Sequence, residues 1–162
     1  MSLTLNADHL QAMRSHAEAA YPNECCGLML GRMHEDDKDV VEVQAMDNGW
    51  NSNAAQALGD TAALGRAKRY WINPQDLLTV MRTARNRGLD VIGVYHSHPD
   101  HAALPSECDR RLAWQQYSYI ILSVQSGTVQ DVQNWQLDEH HQFQPEAIVL
   151  HPALPHSTPV RP

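Results

Sequence analysis

The stretch Val91-Ile92-Gly93-Val94-Tyr95-His96-Ser97-His98-Pro99 decides the fold that we predict for this chain. Its first five residues are mostly apolar and β-branched, which predicts a buried strand. Side chains alternate between the two faces of a strand, so His96 and His98 point to one side and Ser97 to the other. Pro99 lacks the N–H that a sheet ladder requires, and the strand should therefore end there with both imidazoles at its end.

A short loop separates this strand from Ser106-Glu107-Cys108-Asp109, which predicts the first turn of a helix that continues to Trp114. Two interpretations of this turn are open. In one, Ser106 and Asp109 form a capping box, in which each side chain accepts from the backbone N–H of the other residue. In the other, Asp109 joins the two histidines as the third protein ligand of a catalytic zinc ion, with the fourth position left for water.

The whole string, His-Ser-His-Pro followed after six residues by Ser-x-x-Asp, resembles the signature of the JAMM, or MPN-plus, zinc metallopeptidases. The wider resemblance runs over residues 7–150. RadC-type relatives carry an asparagine between the two histidines, and Ser97 argues against that branch. The resemblance implies an α/β (α+β) domain of the cytidine-deaminase-like JAMM/MPN type, in which helices flank a mixed β-sheet.

The same resemblance assigns roles to five side chains. His96, His98 and Asp109 would bind one Zn²⁺ per chain and so activate a water molecule for attack on a carbonyl. Glu24, just before an apolar segment, would act as general base and then as general acid. Ser106 would donate a hydrogen bond to the oxyanion. On position alone, Glu24 would be expected to be a solvated turn residue, and only the resemblance singles it out.

Three cysteines offer a competing nucleophile. Cys25 and Cys26 lie in the apolar segment after Glu24, where burial raises rather than lowers the pKa of a thiol. Nothing in the sequence orients a histidine towards them. Cys108 is predicted to be a small buried residue on the inner face of its helix. The roles of the three thiols stay open at this point.

The remaining pattern predicts one mixed sheet with helices packed against it. A first helix should begin at Asn6 or Asp8 and end at Pro22, and a second should run from Asn73-Pro74 to Gly88. Further strands are predicted after Glu24 and at 40–46, 68–72, 117–124 and 128–137, with a strand or helix at 143–150. Residues 48–66 read as a long loop, either a flap over the site or a surface excursion.

The amino-acid composition limits the possible domain organisation, partners and cellular location of the protein. A chain of 162 residues with 43% hydrophobic content predicts a single domain, residues 1–150, and a proline-rich mobile tail, residues 151–162. The net charge of −7 and the lack of a Lys/Arg cluster argue against a nucleic-acid partner. An odd number of cysteines and the lack of a secretory signal or a membrane-length apolar run predict a cytoplasmic protein without a membrane partner.

The resemblance implies a zinc peptidase or isopeptidase that hydrolyses an amide bond at the C-terminal tail of a ubiquitin-like sulfur-carrier protein. A Gly-Gly tail of such a partner could lie extended beside a sheet edge and reach the metal. The alternatives are a non-catalytic MPN-type interaction scaffold, a phage-type or peptidoglycan-directed JAMM peptidase, and a cysteine hydrolase. The substrate, the choice between peptide and isopeptide bonds and the oligomeric state stay open.

Overall fold

The structure, a computed structural model, describes residues 1–59 and 64–152. Its elements in chain order are β1 (Ser2–Asn6), α1 (Ala7–Ala20), β2 (Cys26–His34), β3 (Asp37–Met46), α2 (Ser52–Ala57), α3 (Pro74–Asn86), β4 (Asp90–Pro99), α4 (Glu107–Leu112), β5 (Ser118–Gln125), β6 (Thr128–Leu137), β7 (Phe143–Pro145) and β8 (Ala147–His151). The predicted α+β class with a mixed sheet is confirmed. The predicted tail, from residue 153 onward, and residues 60–63 of the predicted loop lie outside the described residues.

The strands form one sheet in the order β7-β6-β5-β4-β2-β3-β1-β8. Strand β4 lies in the middle, antiparallel to β2 and parallel to β5. Helix α1 buries Met13 and Ala17 on one face of the sheet, and α3 buries Ala84 on the other. Helices on both faces explain why β4 is buried continuously from Val91 to Pro99 rather than alternating between buried and exposed residues. No helix in the described part of the chain is long and apolar enough to cross a membrane.

Strands β2 and β4 approach closely at a glycine. A Cβ atom on Gly27 would lie 2.1 Å from the ring of Tyr95, so only glycine leaves room for that ring. The Tyr95 hydroxyl forms a 2.7 Å hydrogen bond with Nδ1 of His16 on α1. The register places Cys26 opposite His96. The close contact therefore fixes the end of β2 against the histidine end of β4.

The two edge strands of the sheet are joined by one residue. Strand β7 pairs with β6 and β8 pairs with β1, yet only Glu146 lies between them in the chain. The carboxylate of Glu146 is buried and accepts hydrogen bonds from Lys38 Nζ at 3.1 Å, from Asn134 Nδ2 at 2.8 Å and from Ser118 Oγ. These four residues, which we call the seam, bring the two ends of the sheet together around a buried ion pair.

The local signals of the sequence placed most elements correctly. Asn6 caps α1, Asn73 and Pro74 begin α3, and Gly88 follows that helix with φ +70°. The predicted region 143–150 forms two short strands, β7 and β8, rather than one element. Strand β1 had not been predicted, because its pairing partner β8 is the last described strand of the chain.

Two predictions about elements were wrong. Residues 68–72 form no strand: the N–H of Lys68 bonds back to Gly65 O at 3.0 Å, as in a turn, and Trp71 O accepts from Gly49 N at 2.8 Å. The helix after Ser106 ends at Leu112, so Trp114 lies beyond α4. The N–H of Trp114 donates instead to the Tyr119 hydroxyl at 2.7 Å, and Trp114 O accepts from Tyr117 N at 3.2 Å in a turn.

Candidate metal centre and active site

The two histidines of β4 lie on one side of the strand, as their spacing predicted. Their Nε2 atoms are 3.1 Å apart, and both residues are buried. Ser97 points to the other side, where its Oγ accepts from the N–H of Cys25 at 2.8 Å. Ser97 therefore has a structural role, because it ties β4 to the residue that follows Glu24.

The ring of His98 is fixed by the loop after β4. Its Nδ1 lies 2.9 Å from Ala102 O, and since a carbonyl only accepts, Nδ1 carries the proton. The Nε2 lone pair is then directed into the site, which is the tautomer a metal ligand requires. The loop is itself held, because Trp135 Nε1 donates to Ala103 O at 3.1 Å and Ser123 Oγ donates to His101 O at 2.5 Å.

The ring of His96 is held by stacking. Tyr70 lies parallel to it with centroids 4.5 Å apart and an angle of 25° between the planes. The Nδ1 atom of His96 is buried and has no hydrogen-bond partner among the described residues. The orientation of this ring therefore depends on an aromatic neighbour from the segment 64–72, and no pattern in the sequence indicates that Tyr70 lies there.

The turn at Ser106 forms the predicted capping box and also places Asp109 beside the two histidines. Ser106 is the N-cap of α4: its Oγ accepts from Asp109 N at 3.0 Å, and its own N–H donates to Asp109 Oδ2 at 2.8 Å. The same Oδ2 atom lies 3.2 Å from His98 Nε2 and 3.3 Å from His96 Nε2. The capping box thus holds the carboxylate against the two imidazoles.

The three donor atoms fit a tetrahedral metal. His96 Nε2, His98 Nε2 and Asp109 Oδ2 form a triangle with sides of 3.1, 3.2 and 3.3 Å. Zinc ligands at about 2.0–2.1 Å from the ion are about 3.3–3.4 Å from one another in a tetrahedron. Two nitrogens and one carboxylate oxygen at this separation match the donor set and spacing of a zinc site with one position left open.

Glu24 lies beside this triangle. Its side chain is buried, and Oε1 is 4.0 Å from His98 Nε2. Glu24, His96 and His98 also present ligand atoms within 4.8 Å of one another, so these three residues alone form a candidate metal-binding group. Asp109 is closer than Glu24 to His98, and it also contacts His96. The triangle of His96, His98 and Asp109 is therefore the more compact of the two candidate groups, and Glu24 lies beside it.

The electrostatics of the two carboxylates differ. Burial, together with the nearby charge of Asp109, raises the pKa of Glu24 well above its usual value, and Arg69 opposes this. Burial would also raise the pKa of Asp109, but His96 and His98 hold it well below its usual value. One carboxyl group is thus held ionised next to the imidazoles, while the other readily takes up a proton.

The side chain of Asn48 forms hydrogen bonds that hold the backbone around Glu24 in place. Asn48 Nδ2 donates to Glu24 O at 3.1 Å and to Arg69 O at 2.9 Å. Its Oδ1 accepts from Trp50 N at 3.0 Å and from Trp71 N at 3.3 Å. Asn48 therefore joins the residues just before β2 to the segment 64–72. The sequence reasoning missed it, because an asparagine after a strand is also typical of an ordinary turn.

A pocket of about 340 Å³ opens onto this group. Its lining residues are Glu24, Ala67, Lys68, Arg69, His98, His101, Ala102, Leu104 and Ser106. Glu24, His98 and Ser106, three of the five side chains predicted for the site, therefore face one cavity. The predicted loop 48–66 contributes helix α2, where Trp50, Ala54 and Ala55 form a small buried cluster of their own.

The thiols are placed for packing. All three cysteines lie in the described part of the chain, are buried and form no disulfide bond. Burial raises the pKa of Cys25 to about 11 and that of Cys26 to about 12. Cys26 Sγ is directed at backbone carbonyls, 3.5 Å from Asp47 O. A thiol protonated at neutral pH is a poor nucleophile, which argues against the cysteine hydrolase alternative.

An α+β domain with two histidines and two carboxylates in one buried group is a candidate metalloprotein. The chain belongs to the Prok-JAB family, the prokaryotic homologs of the JAB domain, whose model matches residues 6–138. The resemblance noted from the histidine motif is thereby confirmed.

Two named relatives are similar in sequence. The desampylase of Haloferax volcanii is 32% identical over 126 residues, which are 75% of this chain and 80% of that protein. A probable TtuB-protein conjugate cleaving protease of Thermus thermophilus is 30% identical over 112 residues, which are 69% of this chain and 64% of that protein.

Solved structures share the fold. A protein from Desulfitobacterium hafniense, known from a solution structure, superposes with a TM-score of 0.75 at 29% identity, covering 96% of this chain and 97% of its own. A JAB1/MPN domain protein from Archaeoglobus fulgidus superposes with a TM-score of 0.51 at 18% identity, covering 92% and 99%, and shows the fold alone.

Proposed function

We propose that this chain is a zinc-dependent peptidase that hydrolyses an amide bond at the C-terminal tail of a ubiquitin-like protein. The observation that carries this proposal is the triangle of donor atoms from His96, His98 and Asp109 with the buried Glu24 beside it. The relatives support the substrate class, since one is a desampylase and the other is named for cleaving TtuB-protein conjugates.

In this proposal, His96, His98 and Asp109 hold one Zn²⁺ per chain. The ion would supply a Lewis acid that polarises the scissile carbonyl and lowers the pKa of water in the site. One carboxylate among three protein ligands leaves the site with net positive charge, which favours both effects. The capping box contributes by holding the Asp109 carboxylate in place before any ion binds.

Glu24 serves as the proton carrier. It is buried, lies 4.0 Å from His98 Nε2 and lines the pocket, so it can reach both a water molecule and a leaving amine near the imidazoles. Because its pKa is raised, Glu24 takes a proton from water more readily than an exposed carboxylate and can return it to the amine. Ser106 lines the same pocket, and its hydroxyl donates to the oxyanion of the attacked carbonyl.

The pocket suits an extended tail. Its volume of about 340 Å³ is at the small end of ligand sites, which span roughly 300–1,000 Å³, and it admits a few residues of extended chain rather than a folded surface. A tail rich in glycine has the thin profile that such a pocket requires. We expect the protein to act in the cytoplasm, with domain 1–150 as the catalytic unit.

The test compares conservative changes at two buried side chains. Glu24→Gln removes the proton carrier but not a metal ligand, so turnover of a ubiquitin-like conjugate should fall by about 10²–10⁴-fold while zinc content stays near one per chain. Gel-based cleavage and elemental analysis measure the two quantities. The control, Cys26→Ser, should keep both, because its thiol only faces backbone carbonyls. Full turnover in Glu24→Gln would remove Glu24 from the reaction.

A further inference from the structure

Positive charge is concentrated at the mouth of the candidate active-site pocket. Lys68 and Arg69 line it from the segment 64–72, and His101 lines it from the loop after β4. Among the lining residues in the described part of the chain, Glu24 is the single acid, and it is buried. The chain as a whole carries a net charge of −7, so two adjacent cations, Lys68 and Arg69, at one pocket mouth are a local departure from the overall charge.

Lys68 is distinctive within this chain. The sequence contains two lysines, and the other, Lys38, is buried in the seam. Lys68 is exposed at the pocket, where its Nζ donates to His101 Nε2 at 3.2 Å. An ammonium has three N–H groups, so two are left for a ligand.

The partner of Lys68 is itself held in position. The carbonyl of His101 accepts from Ser123 Oγ at 2.5 Å and from Gln125 Nε2 at 3.4 Å, which ties its loop to β5. The adjacent Asp100 accepts from the Tyr21 hydroxyl at 2.6 Å and from Ser126 N at 2.9 Å. The Lys68–His101 bond therefore spans the pocket mouth from the segment 64–72 to a fastened loop.

We propose that Lys68, positioned by His101, forms a subsite for a carboxylate of the substrate next to the bond that is cut. The inference rests on the proposed function in placing the substrate in this pocket. A charge-assisted hydrogen bond from an ammonium to a carboxylate is the interaction that this geometry offers. The carboxylate is either the C-terminal one of the substrate chain or an acidic side chain near the scissile bond. The first would make the leaving group a terminal residue, because the pocket has room for only a few residues.

The test is equilibrium binding to the zinc-loaded Glu24→Gln protein, which does not turn the ligand over. Three fluorescent peptides of one length end in Gly-Gly-Ala free acid, Gly-Gly-Ala amide and Gly-Gly-Asp amide. The subsite should bind at least one of the two carboxylate peptides roughly 3- to 10-fold more tightly than the Ala amide. Preference for the free acid assigns the terminal carboxylate as the ligand, and preference for the Asp amide assigns the side chain.

The preference should disappear when Lys68→Gln is added and should persist when Arg82→Gln is added. Arg82 is an exposed residue of α3, and its replacement changes the net charge by the same amount. Equal binding of all three peptides overturns the proposal. The proposal is also overturned if the preference for a carboxylate peptide survives Lys68→Gln, or if Arg82→Gln removes that preference as well.

A second measurement needs no variant of Lys68. An amine-reactive reagent followed by mass mapping reports the modification rate of Lys68, with the amine of Met1 as internal reference. The preferred peptide should slow modification of Lys68 several-fold and leave Met1 unchanged, whereas an unchanged Lys68 rate overturns the subsite. Loss of the binding preference in Lys68→Gln without any cleavage by the zinc-loaded native protein would retain the subsite and reject the proposed function. Cleavage by the zinc-loaded native protein, without any binding preference for a carboxylate peptide, would retain the proposed function and reject the subsite.

Discussion

Asp109 shows how one oxygen atom serves two structural purposes. Its Oδ2 accepts from Ser106 N at 2.8 Å and lies 3.2 and 3.3 Å from the two imidazole Nε2 atoms. A carboxylate oxygen has more than one lone-pair direction, so capping and metal binding do not exclude each other. The sequence could not distinguish a capping box from a metal ligand at this residue, because the same conformation produces both.

Asp109→Asn separates the two purposes. The amide oxygen can still accept from Ser106 N, so the helix should remain capped, but the anionic charge is lost. Removing a supporting contact of a metal ligand costs about 10–100-fold in affinity, and we expect loss of the ligand charge to cost at least as much. Competition against a chromophoric chelator measures the affinity for zinc. Glu107→Gln, on the same turn but exposed, is the control; equal affinities in the two variants would remove Asp109 from the ligand set.

The pH dependence of zinc binding follows from His98. Burial lowers its pKa, but the hydrogen bond and charge of Asp109 outweigh this and raise the pKa above the usual imidazole value. A protonated ring has no lone pair for the metal, so affinity should fall as pH decreases through that raised pKa. Zinc titrations at pH values from about 8 to about 5 check this. In Asp109→Asn the fall should begin at a lower pH, and a pH-independent affinity would contradict the assignment.

The segment 64–72 is the element that the sequence described least well. Tyr70, Trp71 and Ile72 are residue types common in strands, yet the amide of Trp71 bonds to the side chain of Asn48. A side chain can thus supply the hydrogen bonds that a neighbouring strand would give, and no local pattern reveals this. Placed in this way, the segment brings Tyr70 against His96 and Lys68 to the pocket.

Asn48→Ala should therefore impair both stability and catalysis. The change leaves four backbone groups without their partner, and we expect the free energy of unfolding to fall by about 2–4 kcal/mol. Turnover should fall more than substrate affinity, because Glu24 loses a contact that fixes its main chain. Urea denaturation and the separation of kcat from KM measure these effects.

The control for Asn48 is Asn51→Ala in the same loop. Asn51 caps α2 by accepting from Ala54 N at 2.9 Å, so its loss should cost about 1 kcal/mol of stability and leave kcat unchanged. If both variants lowered kcat equally, the effect of Asn48 would belong to the loop in general rather than to Glu24.

Elements with strong local signals were predictable, and those with distant partners were not. Gly127, with φ +90°, lies in the hairpin turn from β5 to β6, between the strands predicted at 117–124 and 128–137. In β1, Leu3 and Leu5 are buried in alternation, but five residues give too short a pattern to distinguish from the lead into a helix. Site residues with motif spacing were likewise predictable, whereas Asn48, Tyr70 and Lys68 are brought in by tertiary contacts.

At the level of the whole molecule, the seam closes the sheet with a charge pair that the sequence gives no reason to expect. Lys38 and Glu146 are 108 residues apart and both are buried. Burying two charges costs free energy that their attraction returns only when hydrogen bonds satisfy both groups. Ser118 and Asn134 donate hydrogen bonds to the Glu146 carboxylate, and these bonds help to offset the cost of burying the ion pair.

Glu146→Gln should destabilise the protein strongly. It leaves the Lys38 ammonium buried without a counter-charge, and such a loss costs about 3–5 kcal/mol. Urea denaturation followed by circular dichroism measures the free energy of unfolding. Glu107→Gln, which breaks an exposed pair with Arg110, should change it far less. Similar losses in the free energy of unfolding for the two variants would show that the buried ion pair of the seam does not hold the two ends of the sheet together.

The pairing of β1 with β8 also constrains how the protein is made. Residues 2–6 are synthesised long before the strand that covers their open edge, which ends at residue 151. Throughout synthesis of the intervening chain, β1 presents unpaired amide and carbonyl groups, a surface on which other nascent chains can add. We therefore expect the nascent chain to depend on holding chaperones, and its folding to complete only after translation has passed that point.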